Sequence, residues 1–245
     1  MSLFMIQLFI LVALVPVWFM LRRGRADRES KSGLGLMVAF GVLAVYLTFI
    51  ISTPFEIILP ETGNLLDSES VSITKPDNLL LGVVVFAAIE ELAKFVPAAM
   101  FLYSKKYFNH RSDGVLYLAI VGLSFGVIEN LLYLSSDGAG NALVRIMFGW
   151  FFHGALTSIA GYSLAIKKTN RQSWLVVALG LVIATGLHSA YNYGLFASDW
   201  NALWIYLAVL VSFCANAGLF VLFFIASRQD SKVLAVDHSD FSTDF

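Results

Sequence analysis

Five charged residues lie inside otherwise apolar stretches of this sequence, and they constrain the fold more than any other feature; they are Glu90, Glu91, Lys94, Glu129 and Arg145. Seven charge-poor runs hold 159 of the 245 residues but only these five charges, whereas the other 86 residues hold 28. Each run is long enough to cross a bilayer as a helix, and backbone polar groups in lipid must be satisfied within the segment. We therefore expect an all-α polytopic membrane protein with about seven transmembrane helices. The runs are residues 3–21, 33–53, 79–103, 114–134, 142–166, 174–196 and 201–225.

Composition excludes the other broad classes. Hydrophobic residues make up 58% of the chain, charged residues only 13%, and the mean hydropathy is +0.78. These values do not fit soluble, disordered or fibrous chains. The single cysteine, Cys214, excludes an intrachain disulfide. A net charge of −1 gives no basic footprint for nucleic acid, so we expect a lipid bilayer and no nucleic acid as partner.

The loops predict both the domain organisation and the orientation. We expect one transmembrane domain over residues 1–226, with a core at about 79–196, followed by a disordered cytoplasmic tail over 227–245. Thirteen Lys and Arg fall in alternate loops and this tail, against only Lys75 in the intervening loops. Because positive charge favours the cytoplasmic side, the N-terminus is predicted outside and the C-terminus inside. The long connection 54–78 then lies outside and is expected to form a loop.

The third run contains a cluster of charges one helical turn apart. Glu90 and Lys94 are spaced i,i+4 and Glu91 and Lys94 are spaced i,i+3, so one lysine can neutralise one carboxylate locally. A structural Glu/Lys pair that tethers helices explains one glutamate but not two. The second carboxylate must find another partner or take up a proton, and either state suits a general base or acid.

Three later runs carry further polar residues. Glu129 lies in the fourth run and His153 in the fifth, while His188 and Asn192 are spaced i,i+4 in the sixth. Taken alone, Glu129 fits a proton relay as well as a catalytic site, and a lone histidine fits an interhelical hydrogen bond. Their depths, read at about 1.5 Å per residue, allow them to meet in the outer half to middle of the membrane. Arg145 lies near the outer edge of its run and is left out of this site.

Together, these motifs resemble one known family. Their order is Glu90-Glu91-x-x-Lys94, Phe125-x-x-x-Glu129, His153 and His188-x-x-x-Asn192, each in a successive run. Over roughly residues 80–195 this resembles the PrsW family of intramembrane proteases. The resemblance implies a CAAX-protease-like helical bundle. The sequence departs from the CAAX prenyl endoproteases, which have Arg near the position of Lys94 and His at the position of Glu129.

The resemblance also implies an activity, a location and a substrate class. It implies an endopeptidase of a bacterial inner membrane that cleaves membrane-embedded proteins near the extracytoplasmic side, notably an anti-sigma factor at its first cleavage site. One of the two adjacent carboxylates would activate water, with Lys94 and Glu129 setting its charge. His188 and Asn192 would hold the oxyanion, and His153 would orient water or protonate the leaving amine. The implied catalytic residues are Glu90, Glu91, Lys94, Glu129, His153, His188 and Asn192.

Three alternatives remain open from the residues alone. A zinc-dependent intramembrane metalloprotease would use Glu90, Glu129, His153 and His188 as ligands, although no His-Glu-x-x-His motif is present. A proton-coupled transporter would use the same groups as a relay, but inverted repeats are not visible. A non-catalytic membrane scaffold could keep the histidines and lose the base, whereas both adjacent glutamates are present here.

Overall fold

The described part of the chain is helical, as a backbone surrounded by lipid requires. The computed structural model describes residues 18–20, 22, 31–58, 76–136, 139–198 and 201–240. Within these ranges there is no strand. Six helices follow one another: α1 (Lys31–Ile58), α2 (Pro76–Tyr103), α3 (Arg111–Ser136), α4 (Ala139–Thr169), α5 (Trp174–Ala197) and α6 (Trp204–Asp240).

The predicted all-α polytopic class is confirmed. Four of the described helices, α1, α3, α5 and α6, are long and apolar enough to cross a membrane. Helices α2 and α4 coincide with the predicted runs 79–103 and 142–166, and α2 carries three of the five intramembrane charges. The first predicted run, 3–21, lies outside the described residues except for 18–20. The side chain of Arg145 also lies outside them.

Helices α3 and α4 pack more closely than side chains larger than glycine would allow. A Cβ on Gly122 would lie 2.2 Å from the backbone oxygen of His153, and a Cβ on Gly114 would lie 2.2 Å from that of Gly161. Gly122 and Gly114 therefore permit this close contact between the two helices. This approach fixes His153 beside the helix that carries Glu129, and so it positions one half of the polar cluster.

Helix α1 packs against both α2 and α3. Ala44 and Val45 of α1 form a small buried cluster with Ala93 of α2 and Phe125 of α3. Gly41 packs on α3, where an added Cβ would lie 2.6 Å from the carbonyl oxygen of Val121. Small residues let α1 approach both neighbours, so α1 covers the polar cluster on that side of the bundle.

The structure differs from the sequence prediction at two boundaries. Helix α1 continues through Pro54 to Ile58, so the predicted loop 54–78 begins later, and residues 59–75 lie outside the described chain. The hydroxyls of Ser52 and Thr53 both donate to the carbonyl oxygen of Phe49, at 3.3 and 2.7 Å, in the turn before Pro54.

The second difference concerns the predicted disordered tail, 227–245. Helix α6 runs on to Asp240, and residues 241–245 lie outside the described chain. The Asp230 carboxylate accepts hydrogen bonds from the backbone N–H groups of Arg111 and Ser112, at 3.0 and 2.9 Å. Because these groups open α3 and have no partner within it, Asp230 caps α3 and holds α6 in place.

Candidate functional site

Helix α2 contributes a buried lysine between two glutamates. Lys94 is fully buried, and its Nζ lies 2.7 Å from Oε1 of Glu91 and 3.7 Å from Oε2 of Glu90. The shorter distance is a charge-assisted hydrogen bond, whereas the longer one exceeds hydrogen-bond range. Lys94 therefore neutralises Glu91 in the first place, and Glu90 is the carboxylate left over.

Helix α5 brings His188 to the same two carboxylates. Its Nδ1 lies 2.9 Å from Oε1 of Glu91, and its Nε2 lies 3.6 Å from Oε2 of Glu90. Since Oε1 of Glu91 accepts from Lys94 as well, Glu91 is ionised and Nδ1 of His188 is the donor. Glu91 thereby orients the imidazole so that Nε2 faces Glu90.

A second histidine–carboxylate pair joins α3 and α4. Nζ of Lys94 lies 3.1 Å from Nδ1 of His153, and Nε2 of His153 lies 2.7 Å from Oε2 of Glu129. An ammonium group has no acceptor, so Nδ1 of His153 accepts and its Nε2 carries the proton donated to Glu129. The hydrogen bonds thus fix one tautomer of His153 and an ionised Glu129.

Aromatic side chains enclose the polar groups, and the sequence prediction missed most of this enclosure. Nζ of Lys94 lies 4.3 Å from the ring centroid of Phe125, within range of a cation–π interaction. The Phe152 ring packs edge-on against both His153 and His188, with centroids 6.0 and 5.8 Å apart. Phe125 belonged to the quoted motif, but the residue before His153 carried no signal beyond its apolarity.

The cluster holds more negative than positive charge and leaves acceptors unsatisfied. Three carboxylates face one ammonium, and Oε2 of both Glu90 and Glu91 is buried without a hydrogen-bond partner. A buried carboxylate oxygen without a partner is costly. Such a site favours a proton, a cation or a polar substrate at Glu90.

The cluster also fits the donor set of a metal ion. Glu90, His153 and His188 each offer one ligand atom, and these atoms lie within 4.8 Å of one another. Three protein ligands that leave a position open are typical of catalytic zinc. The unpaired Oε2 of Glu90 and the Nε2 of His188 fit directly. His153 fits only if one of its two present hydrogen bonds is released. Glu129, which was also predicted as a ligand, supports His153 rather than joining this group.

The structure brings six of the seven predicted site residues together from four helices. The seventh, Asn192, is half-buried one turn beyond His188, and in the described part of the chain it has no hydrogen bond to the cluster. Thr157, which the sequence did not single out, donates to the backbone oxygen of His153 at 2.9 Å and steadies this stretch of α4. The catalytic roles assigned from the sequence stay predictions.

This fold and site define a polytopic helical membrane protein with a buried cluster of three carboxylates, two imidazoles and one ammonium. The chain belongs to the PrsW family, whose model carries the description "PrsW family intramembrane metalloprotease" and matches residues 29–223. The family predicted from the motifs is thus confirmed. No solved structure gives a significant match to the chain.

Several curated proteins, all named Protease PrsW, are similar to the chain. The protein from Halalkalibacterium halodurans is 32% identical over 117 residues, which is 46% of this chain and 54% of that protein. The Bacillus subtilis protein is also 32% identical over 117 residues, covering 53% of its length. The Geobacillus kaustophilus protein is 26% identical over 193 residues, with 77% of each chain covered. The chain thus spans about half the length of the first two relatives and more of the third.

Proposed function

We propose that this chain is an endopeptidase that hydrolyses peptide bonds of membrane-embedded proteins, with Glu90 as the base that activates water. The observation that carries the proposal is that the Glu90 carboxylate is buried and lacks a hydrogen-bond partner. Its Oε2 is buried, has no hydrogen-bond partner and faces Nε2 of His188 at 3.6 Å. Every other ionisable group of the cluster is engaged by a neighbour at 3.1 Å or less. Glu90 is therefore the group free to exchange a proton.

The remaining residues hold this base in an electrostatic frame. Glu91 is neutralised by Lys94 and orients His188, so the pair supports the site without taking a proton itself. Glu129 fixes the tautomer of His153, and Lys94 links the two halves of the site through Nδ1 of His153. Preorganised donors and charges of this kind need no reorganisation during the reaction.

In the hydrolytic step, Glu90 carries one proton of the attacking water to the leaving nitrogen. Glu90 accepts a proton from water while the water oxygen bonds to the peptide carbonyl carbon. The carbonyl oxygen takes the electron pair and is stabilised by donors on the α5 side, for which Asn192 and a His188 protonated at Nε2 as well as at Nδ1 remain the proposed residues. The C–N bond then breaks and the proton held by Glu90 passes to the leaving nitrogen. Products are a carboxylic acid and an amine.

The alternative is a zinc mechanism, in keeping with the description of the family, and in it Glu90 would be a metal ligand instead of the base. Glu90, His153 and His188 would hold it, with Glu91 and Glu129 orienting the two imidazoles. When bound, zinc would lower the pKa of a coordinated water and polarise a carbonyl. Without an ion, the same Glu90 serves as a direct base, which was the mechanism expected from the sequence.

The substrate and the orientation belong to the same proposal. We infer a substrate with a single transmembrane span, and an anti-sigma factor follows from the family resemblance. The excess of Lys and Arg in alternate loops supports a cytoplasmic C-terminus and a cut toward the outer side of a bacterial inner membrane.

The test uses full-length protein reconstituted with a single-span substrate. Glu90→Gln should lower the cleavage rate by roughly 10²- to 10⁴-fold, the range for loss of a general base. Glu61→Gln, which changes a carboxylate outside the predicted spans, is the matched control and should cleave normally. If Glu90→Gln cleaves at the control rate, Glu90 is not the base. A transporter or a scaffold would then be the better hypothesis.

A chelator separates the two mechanisms. The same protein is assayed with and without a strong chelator, and zinc is measured alongside. Loss of zinc together with activity, restored by added zinc, supports the metal ligands. Full activity in metal-free protein overturns the zinc proposal and leaves Glu90 as a direct base.

A further inference from the structure

Helix α1 contains a threonine whose hydroxyl has an unusual environment. Thr48 is 4% exposed, and its Oγ1 is buried without a hydrogen-bond partner. Threonines in helices normally donate to the carbonyl four residues earlier. Thr53, Thr157 and Thr169 do so here, at 2.7, 2.9 and 2.8 Å. An unpaired buried hydroxyl is costly and unusual in native proteins. We therefore expect the Thr48 hydroxyl to hydrogen-bond to a bound molecule.

The contacts of α1 define which way Thr48 faces. Gly41, Ala44 and Thr48 follow one another at three- and four-residue spacing, so they share one face of α1. Gly41 packs on α3, and Ala44 packs on Ala93 of α2 and Phe125 of α3. Thr48 therefore faces the junction of α1, α2 and α3.

The same contacts define the level of Thr48 in the bundle. Gly41 packs on the 121–125 turn of α3, and Leu47 and Ile128 further along both pack on the cluster that holds Ala44 and Phe125, so α1 and α3 run in the same direction. Thr48, four residues after Ala44, then lies level with Glu129, four residues after Phe125. On α2, Glu90 lies three residues before Ala93, less than one turn away and on the same face of the helix. Thr48 thus faces the catalytic layer from a helix that carries none of its charges.

We propose that Thr48 is a positioning residue of the hydrolytic site, whose hydroxyl donates a hydrogen bond to the water that Glu90 deprotonates. This rests on the proposed function. Both Oγ1 of Thr48 and Oε2 of Glu90 are buried and unpaired. One water between them accepts from the hydroxyl and donates to the carboxylate, which satisfies both atoms. The second lone pair of that water is left to attack the carbonyl.

The test compares Thr48→Val, which keeps the shape and removes the hydroxyl, with Thr48→Ser, which keeps the hydroxyl. Cleavage of the single-span substrate is measured as kcat and KM, and thermal unfolding is followed in detergent. Thr48→Val should lower kcat by about 10- to 100-fold, the range for one hydrogen bond to a charged or polarised group. Its KM should stay within about twofold and its Tm should not fall, because the hydroxyl has no protein partner to lose. Thr48→Ser should retain most of kcat.

Thr53→Val is the matched control, since that hydroxyl lies on the same helix and is already bonded to Phe49. It should leave kcat unchanged. A kcat within twofold of the parent for Thr48→Val would overturn the inference. So would a lowered Tm with normal kcat, which would mark a structural hydroxyl. The proposed function fails separately, if Glu90→Gln cleaves as fast as the parent. Loss of activity in Glu90→Gln with normal Thr48→Val rejects only the role of Thr48.

Discussion

Lys94→Met should be the most damaging single substitution in the cluster. The lysine is fully buried and its Nζ contacts Glu91 at 2.7 Å and His153 at 3.1 Å, with Glu90 at 3.7 Å. Methionine keeps the apolar stem and removes the charge. Glu91 and His153 then lose their donor together, and Glu90 loses a nearby positive charge.

The magnitude follows from the burial of the pair. Removing one partner of a buried ion pair leaves an uncompensated charge and costs about 3–5 kcal/mol. At about 1.4 kcal/mol for each factor of ten, the folded population falls by roughly 10²- to 4 × 10³-fold relative to the unfolded one. Glu91→Gln in addition should restore part of this loss, because the uncompensated carboxylate is gone. Neither variant should cleave substrate, since the frame around Glu90 is lost in both.

The assay is reversible unfolding in detergent, with cleavage measured on the folded fraction. Lys106→Met, at an exposed lysine between α2 and α3, is the control and should change the free energy of unfolding by less than about 0.5 kcal/mol. If Lys94→Met unfolds like this control, or if adding Glu91→Gln makes Lys94→Met less stable, the Lys94–Glu91 ion pair does not stabilise the site.

Further outcomes are expected elsewhere in the chain. Gly122→Ala should destabilise the protein by about 1–3 kcal/mol in the same unfolding assay, because its Cβ would meet the backbone of His153, whereas Gly186→Ala has open space and should not. Asn192→Ala should lower turnover by about 10²- to 10³-fold with normal substrate binding if it holds the oxyanion, and an unchanged kcat would remove it from the site. Reporter fusions in loop 22–32 and at the C-terminus should both behave as cytoplasmic, and an external C-terminal signal would contradict the orientation.

Much of the site was predictable because ionisable residues in apolar runs are costly and therefore stand out. Glu90, Glu91, Lys94, Glu129 and His153 were all chosen on that ground, and the structure brings them into one cluster with His188. Phe152 and Thr48 could not be chosen this way. An apolar ring and a hydroxyl are ordinary in a membrane helix, and only their neighbours mark them.

The two boundary differences have a similar origin. Pro54 and the polar composition after 226 both predicted an end of helical structure, since each is unfavourable for an isolated helix. Composition does not reveal the contacts made at these two places. The hydroxyls of Ser52 and Thr53 donate to Phe49 in the turn before Pro54, and Asp230 is held by the first turn of α3, which is more than a hundred residues away in the chain.

By itself, the sequence determined that the chain is helical and lies in a membrane, because the length and apolarity of its runs leave no other way to satisfy the backbone. It also determined which polar groups are available for chemistry. The tertiary structure decided which of these polar groups pair with one another. Helical spacing lets Lys94 pair with Glu90 or Glu91, and the structure assigns it to Glu91. The reason is that His188 and His153 come from other helices, whose rotation and depth no local spacing fixes, and their approach leaves Glu90 as the carboxylate without a close partner.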